Sequence, residues 1–286
     1  MPELPEVHAL VSDLRARLSG RVVDRLDLIS FSALKTFDPP PSALAGQTVG
    51  EVSRHGKYLD IGVGELHLII HLARAGWLRW RAEAPKPLRG IGRGPLAARL
   101  VLDDGSGFDL TEAGTKKSLA IHIVRTPTDV EWIARLGPDP LAPDFTEATF
   151  ADILSRAGRA QIKGVLRSQS IIAGIGNAYS DEILHSARMS PFKPANMSPD
   201  ETARLFSAMQ TTLREAIARA DGLSASELKH EKKTNLQVHG RTGEACPVCG
   251  DTVRQVIFAD STLQYCPTCQ TGGKPLADRV LSRLLK

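Results

Sequence analysis

No apolar run in this 286-residue chain approaches the roughly 18 residues that a membrane-spanning helix needs, so a membrane role is not expected. The opening Met1-Pro2-Glu3-Leu4-Pro5-Glu6 lacks both the basic start and the apolar stretch of a secretion signal. A cytoplasmic protein is therefore expected, and with it few disulfides. Internal repeats are absent. Strong charge of either sign is also missing: 36 Lys and Arg against 32 Asp and Glu leave a net +4, which permits nucleic-acid binding without requiring it. What is present is an ordinary globular composition, 42% hydrophobic and 24% charged, in a chain long enough for two packed bodies and a small appendage.

Val7, Leu10, Val11, Leu14 and Leu18 form a helical stripe over Glu6–Ser19, and Gly20 follows as a stop. The texture then turns to short β-rich runs, at Arg21–Ile29, Thr48–Ser53, Tyr58–Val63, Leu66–Leu72, Leu96–Leu102 and Leu119–Val124, which predict a β-sandwich. Within it Ala84–Pro95, rich in Pro, Gly, Lys and Arg, reads as an exposed mobile loop. Leu136-Gly137-Pro138-Asp139-Pro140 marks a boundary, beyond which Thr146–Ala157, Ile162–Gln169, Asn177–Ala187 and Pro199–Ala220 read as helices. Ser198, Pro199 and Glu201 give the last of these the signature of a capped start. Asp221–His239 is polar and Lys-rich. The class predicted is α+β, with an opening helix and β-sandwich over 1–136, a helical domain over 137–236, a cysteine-bearing segment over 237–272 and a basic tail over 273–286.

All four cysteines fall in that third segment. Cys246-Pro247-Val248-Cys249 and Cys266-Pro267-Thr268-Cys269 are separated by sixteen residues, in which Val253–Phe258 and Thr262–Tyr265 fit a β-hairpin. Paired knuckles of this spacing let four thiolates meet one Zn²⁺ tetrahedrally at about 2.3 Å. A redox pair or a disulfide knot is disfavoured by the expected compartment and by the lack of a βαβ pattern around either pair. With four protein ligands no coordination position is left for water, so the metal is predicted to be structural.

Three motifs, spread over nearly the whole chain, together resemble the formamidopyrimidine-DNA glycosylase and endonuclease VIII family. They are Pro2-Glu3-Leu4-Pro5-Glu6-Val7, then Gly174-Ile175-Gly176-Asn177-Ala178-Tyr179-Ser180-Asp181-Glu182, which looks like that family's helix-two-turns-helix, and finally Gln237-Val238-His239-Gly240-Arg241 leading into the finger. The resemblance implies a base-excision repair enzyme, a DNA glycosylase with abasic-site lyase activity, acting on damaged DNA as duplex, bubble or single strand. A monomer is expected.

The chemistry of the start can be argued from the residues themselves. Loss of Met1 exposes Pro2 as a secondary amine that titrates not far above neutrality, a competent nucleophile toward a sugar carbon. Glu3 beside it is placed to act as the acid. By resemblance Glu6 joins the catalytic site, Lys57 in His55-Gly56-Lys57-Tyr58 matches a phosphate-contacting lysine, and Lys163 falls near another DNA-contacting lysine. Asn177, after a Gly-x-Gly turn at a helix start, could hold a phosphate or simply cap the helix.

Departures from the family pattern concern the groups that plug a duplex. Arg74 stands where the resemblance places a Met, and the companion Arg-Arg-Phe loop is replaced by Thr111–Lys117, where Lys116 or Lys117 could supply DNA contacts. Arg241 is a further DNA-binding candidate. Gly222–Gln237 is shorter than the loop with which purine-specific members cap a base, and Asp260 or Ser261 occupies the place of a finger arginine. Val280, Leu281, Leu284 and Leu285 suggest a short docking helix in the tail. Two other readings remain: a damaged-DNA-binding protein of the same fold without efficient excision, and a zinc-ribbon protein–protein adaptor, which would leave the N-terminal motif unexplained.

Overall fold

A computed structural model describes residues 1–83, 94–258 and 261–277. Most of the expected mobile loop, Asp260 and the expected docking helix lie outside the described residues. No helix among the described residues is long and apolar enough to cross a membrane. Two compact units are present, one made of Met1–Leu136 with Ala220–Lys229, the other of Gly137–Arg219 and the chain from His230 onward.

The first unit opens with helix α1, Leu4–Leu18, whose predicted apolar stripe is buried. Two four-stranded antiparallel sheets follow. One has the order β1 (Val23–Leu28), β6 (Leu96–Leu102), β7 (Gly107–Glu112), β5 (Gly76–Arg81), and the other β2 (Val49–His55), β3 (Tyr58–Val63), β4 (Leu66–His71), β8 (Ala120–Val124). Alternation along the strands turns Leu100, Phe108 and Leu110 of one sheet and Leu59, Ile61, Leu68 and Ile70 of the other into a shared core with α1. Arg15 of α1 donates to the Val52 carbonyl at 2.7 Å, tying the helix to β2.

Strands β5 and β7 are additions to the predicted set. In β7 the buried acids Asp109 and Glu112 disguise the apolar period. Asp109 is tolerated because Arg99 and Arg81 of the flanking strands donate to its carboxylate at 2.6 and 2.9 Å. Short helix α2, Glu131–Ala134, closes this part of the unit. Ala225 and Leu228 return to its core, and the Trp77 indole donates to the Ala225 carbonyl at 2.7 Å.

The second unit packs α3 (Glu147–Ala157), α4 (Ile162–Arg167), α5 (Asn177–Ser186) and α6 (Pro199–Ala220) around one apolar core. Thr146 caps α3 through the Thr149 amide, and Ser198 and Glu201 form the expected reciprocal cap of α6. The segment expected to be merely polar holds an eight-residue helix, α7 (Leu228–Asn235). The finger is a hairpin of β9 (Arg254–Ile257) and β10 (Thr262–Tyr265) followed by α8 (Pro267–Thr271). The chain is therefore α+β, with sandwich, helical region and finger in the predicted order.

Candidate active site and metal centre

At the N-terminus of the first unit Pro2, Glu3 and Glu6 are all buried. Glu3 is the N-cap of α1, and Glu6, three residues on, accepts a hydrogen bond from the Glu3 amide at 2.7 Å. One of the helix's unpaired amides is thereby satisfied, and the negative charge sits at the positive end of the helix dipole. Pro5, lacking an N–H, adds no orphan donor in this turn. The arrangement fixes the backbone on which Pro2 and Glu3 are carried.

Lys57 of the same unit lies in the two-residue turn between β2 and β3, where His55 pairs with Tyr58. Gly56, at φ 55°, takes the left-handed position that such a hairpin demands, leaving Lys57 with ordinary backbone geometry. The lysine is only 7% exposed, so it is a packed residue of the turn and not a free strand edge. His71 sits opposite Tyr58 on β4, the rings 4.6 Å apart. Burial pushes the His71 imidazolium down to about 4, helped by the charges of Lys57 and then His122, so the ring is neutral near pH 7. Sequence reasoning overlooked His71; its register with the Lys57 hairpin was the available signal.

In the second unit the turns before α5 are locked by one side chain. Gln169 accepts from the Gly174 amide at 3.0 Å and donates to the Ile175 carbonyl at 2.6 Å. Gly176 is the N-cap, so Asn177 is the first helical residue and not the cap. Its amide donates to the Thr262 carbonyl in β10 at 2.7 Å. The Lys163 ammonium is buried and donates to Asp181 at 2.6 Å, Ser180 at 2.8 Å and the Asn177 carbonyl at 3.1 Å. Lys163 thus braces the start of α5 from a buried position. The other Asp181 oxygen is bonded to His239 at 2.7 Å and accepts the Gln264 amide at 3.2 Å.

The four cysteine sulfurs lie within 4.8 Å of one another and form no disulfide. Cys246 and Cys269 are 3.9 Å apart, Cys249 and Cys266 3.4 Å. Four thiolates about 2.3 Å from one zinc stand about 3.8 Å from each other, so the cluster fits a tetrahedral ion. It is a site for one structural Zn²⁺. Burial pushes the Cys266 thiol up to about 11 and also raises Cys269, while the Asp251 amide holds Cys249 low. Without metal Cys266 and Cys269 stay protonated near neutrality, and metal binding must release those protons.

Comparison with known proteins covers all these parts. Residues 1–118 match the family model of the formamidopyrimidine-DNA glycosylase N-terminal domain, 136–227 that of the formamidopyrimidine-DNA glycosylase H2TH domain, and 243–272 that of a zinc finger found in FPG and IleRS. The chain belongs to the formamidopyrimidine-DNA glycosylase family. It is 34% identical over 284 residues to the formamidopyrimidine-DNA glycosylase of Symbiobacterium thermophilum, covering 94% of this chain and 89% of that one. An uncharacterised formamidopyrimidine-DNA glycosylase-like protein of Mycobacterium tuberculosis is 55% identical over 152 residues, 53% of this chain and 94% of its own. The Lactococcus lactis Fpg in complex with DNA containing an abasic site superposes with a TM-score of 0.82 at 26% identity, covering 94% of this chain and 99% of that one.

Against this family frame the remaining expected DNA contacts divide. Arg74 is exposed on the turn between β4 and β5. Ala73 beside it adopts φ 51°, in the left-handed region, and a Cβ on Gly76 would lie 2.0 Å from the Leu72 carbonyl, so the turn is sharp and admits no side chain there. Lys116 is exposed, whereas the Lys117 ammonium folds back onto the Glu112 carbonyl. The Glu112 carboxylate in turn accepts the Ser118 and Leu119 amides at 2.7 and 3.0 Å, which shapes the loop. Arg241 pairs with Glu244 at 2.8 Å on the surface. The Glu182 carboxylate accepts the Gln237, Val238 and His239 amides at 2.7, 3.0 and 2.9 Å, fixing the entry to the finger. Neither this role nor that of Asp181 was assigned from the sequence, although Asp181 stands one helical turn beyond Asn177.

Proposed function

We propose that this chain is a base-excision DNA glycosylase with abasic-site lyase activity, in which Pro2, freed of Met1, is the nucleophile. The observation that carries this reading is the buried Pro2-Glu3 pair at the head of α1, with Glu6 bonded to the Glu3 amide. The Pro2 nitrogen attacks C1′ of a damaged nucleotide and loses its N–H proton as the C1′–base bond breaks, the base leaving with a proton from water. Glu3 then gives its proton to O4′ as the C1′–O4′ bond opens, which leaves a C1′=N iminium. The iminium left between Pro2 and C1′ acidifies the C2′ proton, whose loss breaks the C3′–oxygen bond and cleaves the strand. Lys57 and Asn177 hold phosphates, with the neutral His71 beside Lys57 as a further donor. The named relatives are glycosylases, and the Lactococcus lactis complex holds abasic-site DNA, which agrees with this assignment.

Borohydride reduction tests it by converting the iminium into a stable protein–DNA adduct. The processed protein should be trapped on abasic-site DNA, and Pro2→Gly should lose or greatly slow the reaction. Equal trapping by protein that retains Met1 would remove Pro2 from the mechanism. A protein that binds damaged DNA without turnover, the reading that exposed Arg74 favours, would give no adduct at all.

A further inference from the structure

Helix α5 carries the finger along one of its faces. Asn177, Asp181 and His185 recur every four residues and so lie one above the other. Asn177 donates to the Thr262 carbonyl of β10, and Asp181 accepts the Gln264 amide of the same strand. His185 completes the row: its Nε2 is 3.3 Å from Sγ of Cys246, and both residues are buried. A zinc-bound thiolate has no proton to give. The imidazole must therefore be the donor, Nε2–H to Sγ, in the tautomer that leaves Nδ1 unprotonated.

We propose that His185 is a positioning residue of the zinc site, its N–H···S bond to Cys246 fastening the metal centre to the helix whose first residue is Asn177. Such a bond lowers the electron density on the sulfur that zinc must hold and fixes the direction of its lone pairs. Hydrogen bonds of this outer kind typically govern metal affinity about 10- to 100-fold. The row also gives metal loading a mechanical consequence. Cys246, Thr262 and Gln264 belong to the finger, which folds around the ion, while their three partners are successive turns of one rigid helix. Occupancy of the metal site therefore controls how firmly the start of α5 is held, through the bonds of Asn177, Asp181 and His185 to the finger. The finger acts on Asn177 from behind.

The test uses the full-length zinc-loaded protein and two variants. His185→Phe keeps a ring of similar volume but removes the donor, and His185→Gln places an amide nitrogen near the position of Nε2. Zinc transfer to a chromophoric chelator should be at least about tenfold faster in His185→Phe and substantially restored in His185→Gln. In cobalt-substituted protein the sulfur-to-metal charge-transfer band should move to lower energy in His185→Phe and return in His185→Gln, because a thiolate without its hydrogen bond gives up an electron more readily. Amide exchange at residues 178–182 should quicken in His185→Phe in step with zinc loss. Zinc release at the wild-type rate in His185→Phe overturns the proposal. So does a His185→Gln variant no better than His185→Phe, since the effect would then be one of packing, and so do unmoved exchange rates when zinc is stripped. None of these readouts involves strand cleavage, so they stand or fall apart from the glycosylase assignment.

Discussion

His71 illustrates how much a single residue's titration depends on what surrounds it. In an unfolded chain its imidazole binds a proton near pH 6.5, but in the fold burial and the nearby Lys57 and His122 charges hold it down to about 4. Between those values the unfolded state carries a proton that the folded state refuses, so stability rises with pH across the window. The contribution is fully present above pH 6.5 and is lost progressively as pH falls toward 4. From pH 7 to pH 5 the loss is about 2 kcal/mol by the linkage relation. His71→Phe, which keeps a ring against Tyr58, should therefore show a smaller fall in denaturation free energy between pH 7 and pH 5 than the wild type. Equal falls in the two proteins would mean that His71 titrates in the fold as it does in a peptide.

At the scale of elements, α5 depends on a buried ion pair more than on propensity. Removing one partner of such a pair leaves an uncompensated charge in the interior, which costs about 3–5 kcal/mol, whereas removing both costs far less. Lys163→Met should thus destabilise the second unit by about that amount in chemical denaturation, and adding Asp181→Asn should recover part of it. A single-variant loss under about 1 kcal/mol would show Asp181 to be sustained by His239 and Gln264 alone. The same helix marks the limit of what the sequence discloses. Strand β3, the start of α6 and the cysteine cluster are local patterns: alternation over Tyr58–Val63, the cap at Ser198, two knuckles sixteen residues apart. Lys163, Asp181, Glu182 and His185 look in one dimension like a solvated helical face. Cys246, Gln264 and Val238 come back to His185, Asp181 and Glu182 from more than fifty residues away, while Lys163 is closed in by Asp181 and Ser180, and no periodicity announces either return. Strand β7 was hidden for a related reason, its acids Asp109 and Glu112 being satisfied by Arg99 and by the Ser118 and Leu119 amides. Helix α7 was hidden by its lysines, although Lys232 in fact lies over the Tyr179 ring at 4.7 Å.

For the molecule as a whole, the choice of substrate follows from what replaces the duplex-plugging parts of the family pattern. A flipped nucleotide leaves a hole whose opening costs a few kcal/mol, and an apolar or aromatic wedge offsets that cost by stacking in the gap. Here the sharp turn at Ala73–Gly76 displays Arg74, a cation that prefers water and phosphate to the interior of a base stack. The loop at Thr111–Lys117 contains no aromatic, and its Lys117 is turned back onto Glu112. Gly222–Gln237, the segment that would cap an extruded oxidised purine, is short, contributes Ala225 and Leu228 to the core of the first unit and folds as α7 beyond, which leaves little free chain to reach over a base. A protein built this way gains less from prying open an intact pair than from sites that are already unstacked. It should therefore cleave abasic sites, and lesions held in bubbles or single strands, faster in single turnover than oxidised guanine paired with cytosine in a duplex of the same sequence. Arg74→Met should narrow that gap by raising the rate on the paired lesion while leaving the abasic rate nearly unchanged. If wild-type protein cleaves the paired oxidised guanine as fast as the abasic site, the cationic turn does the work of a wedge, and the preference argued from Arg74 and the short segment is wrong.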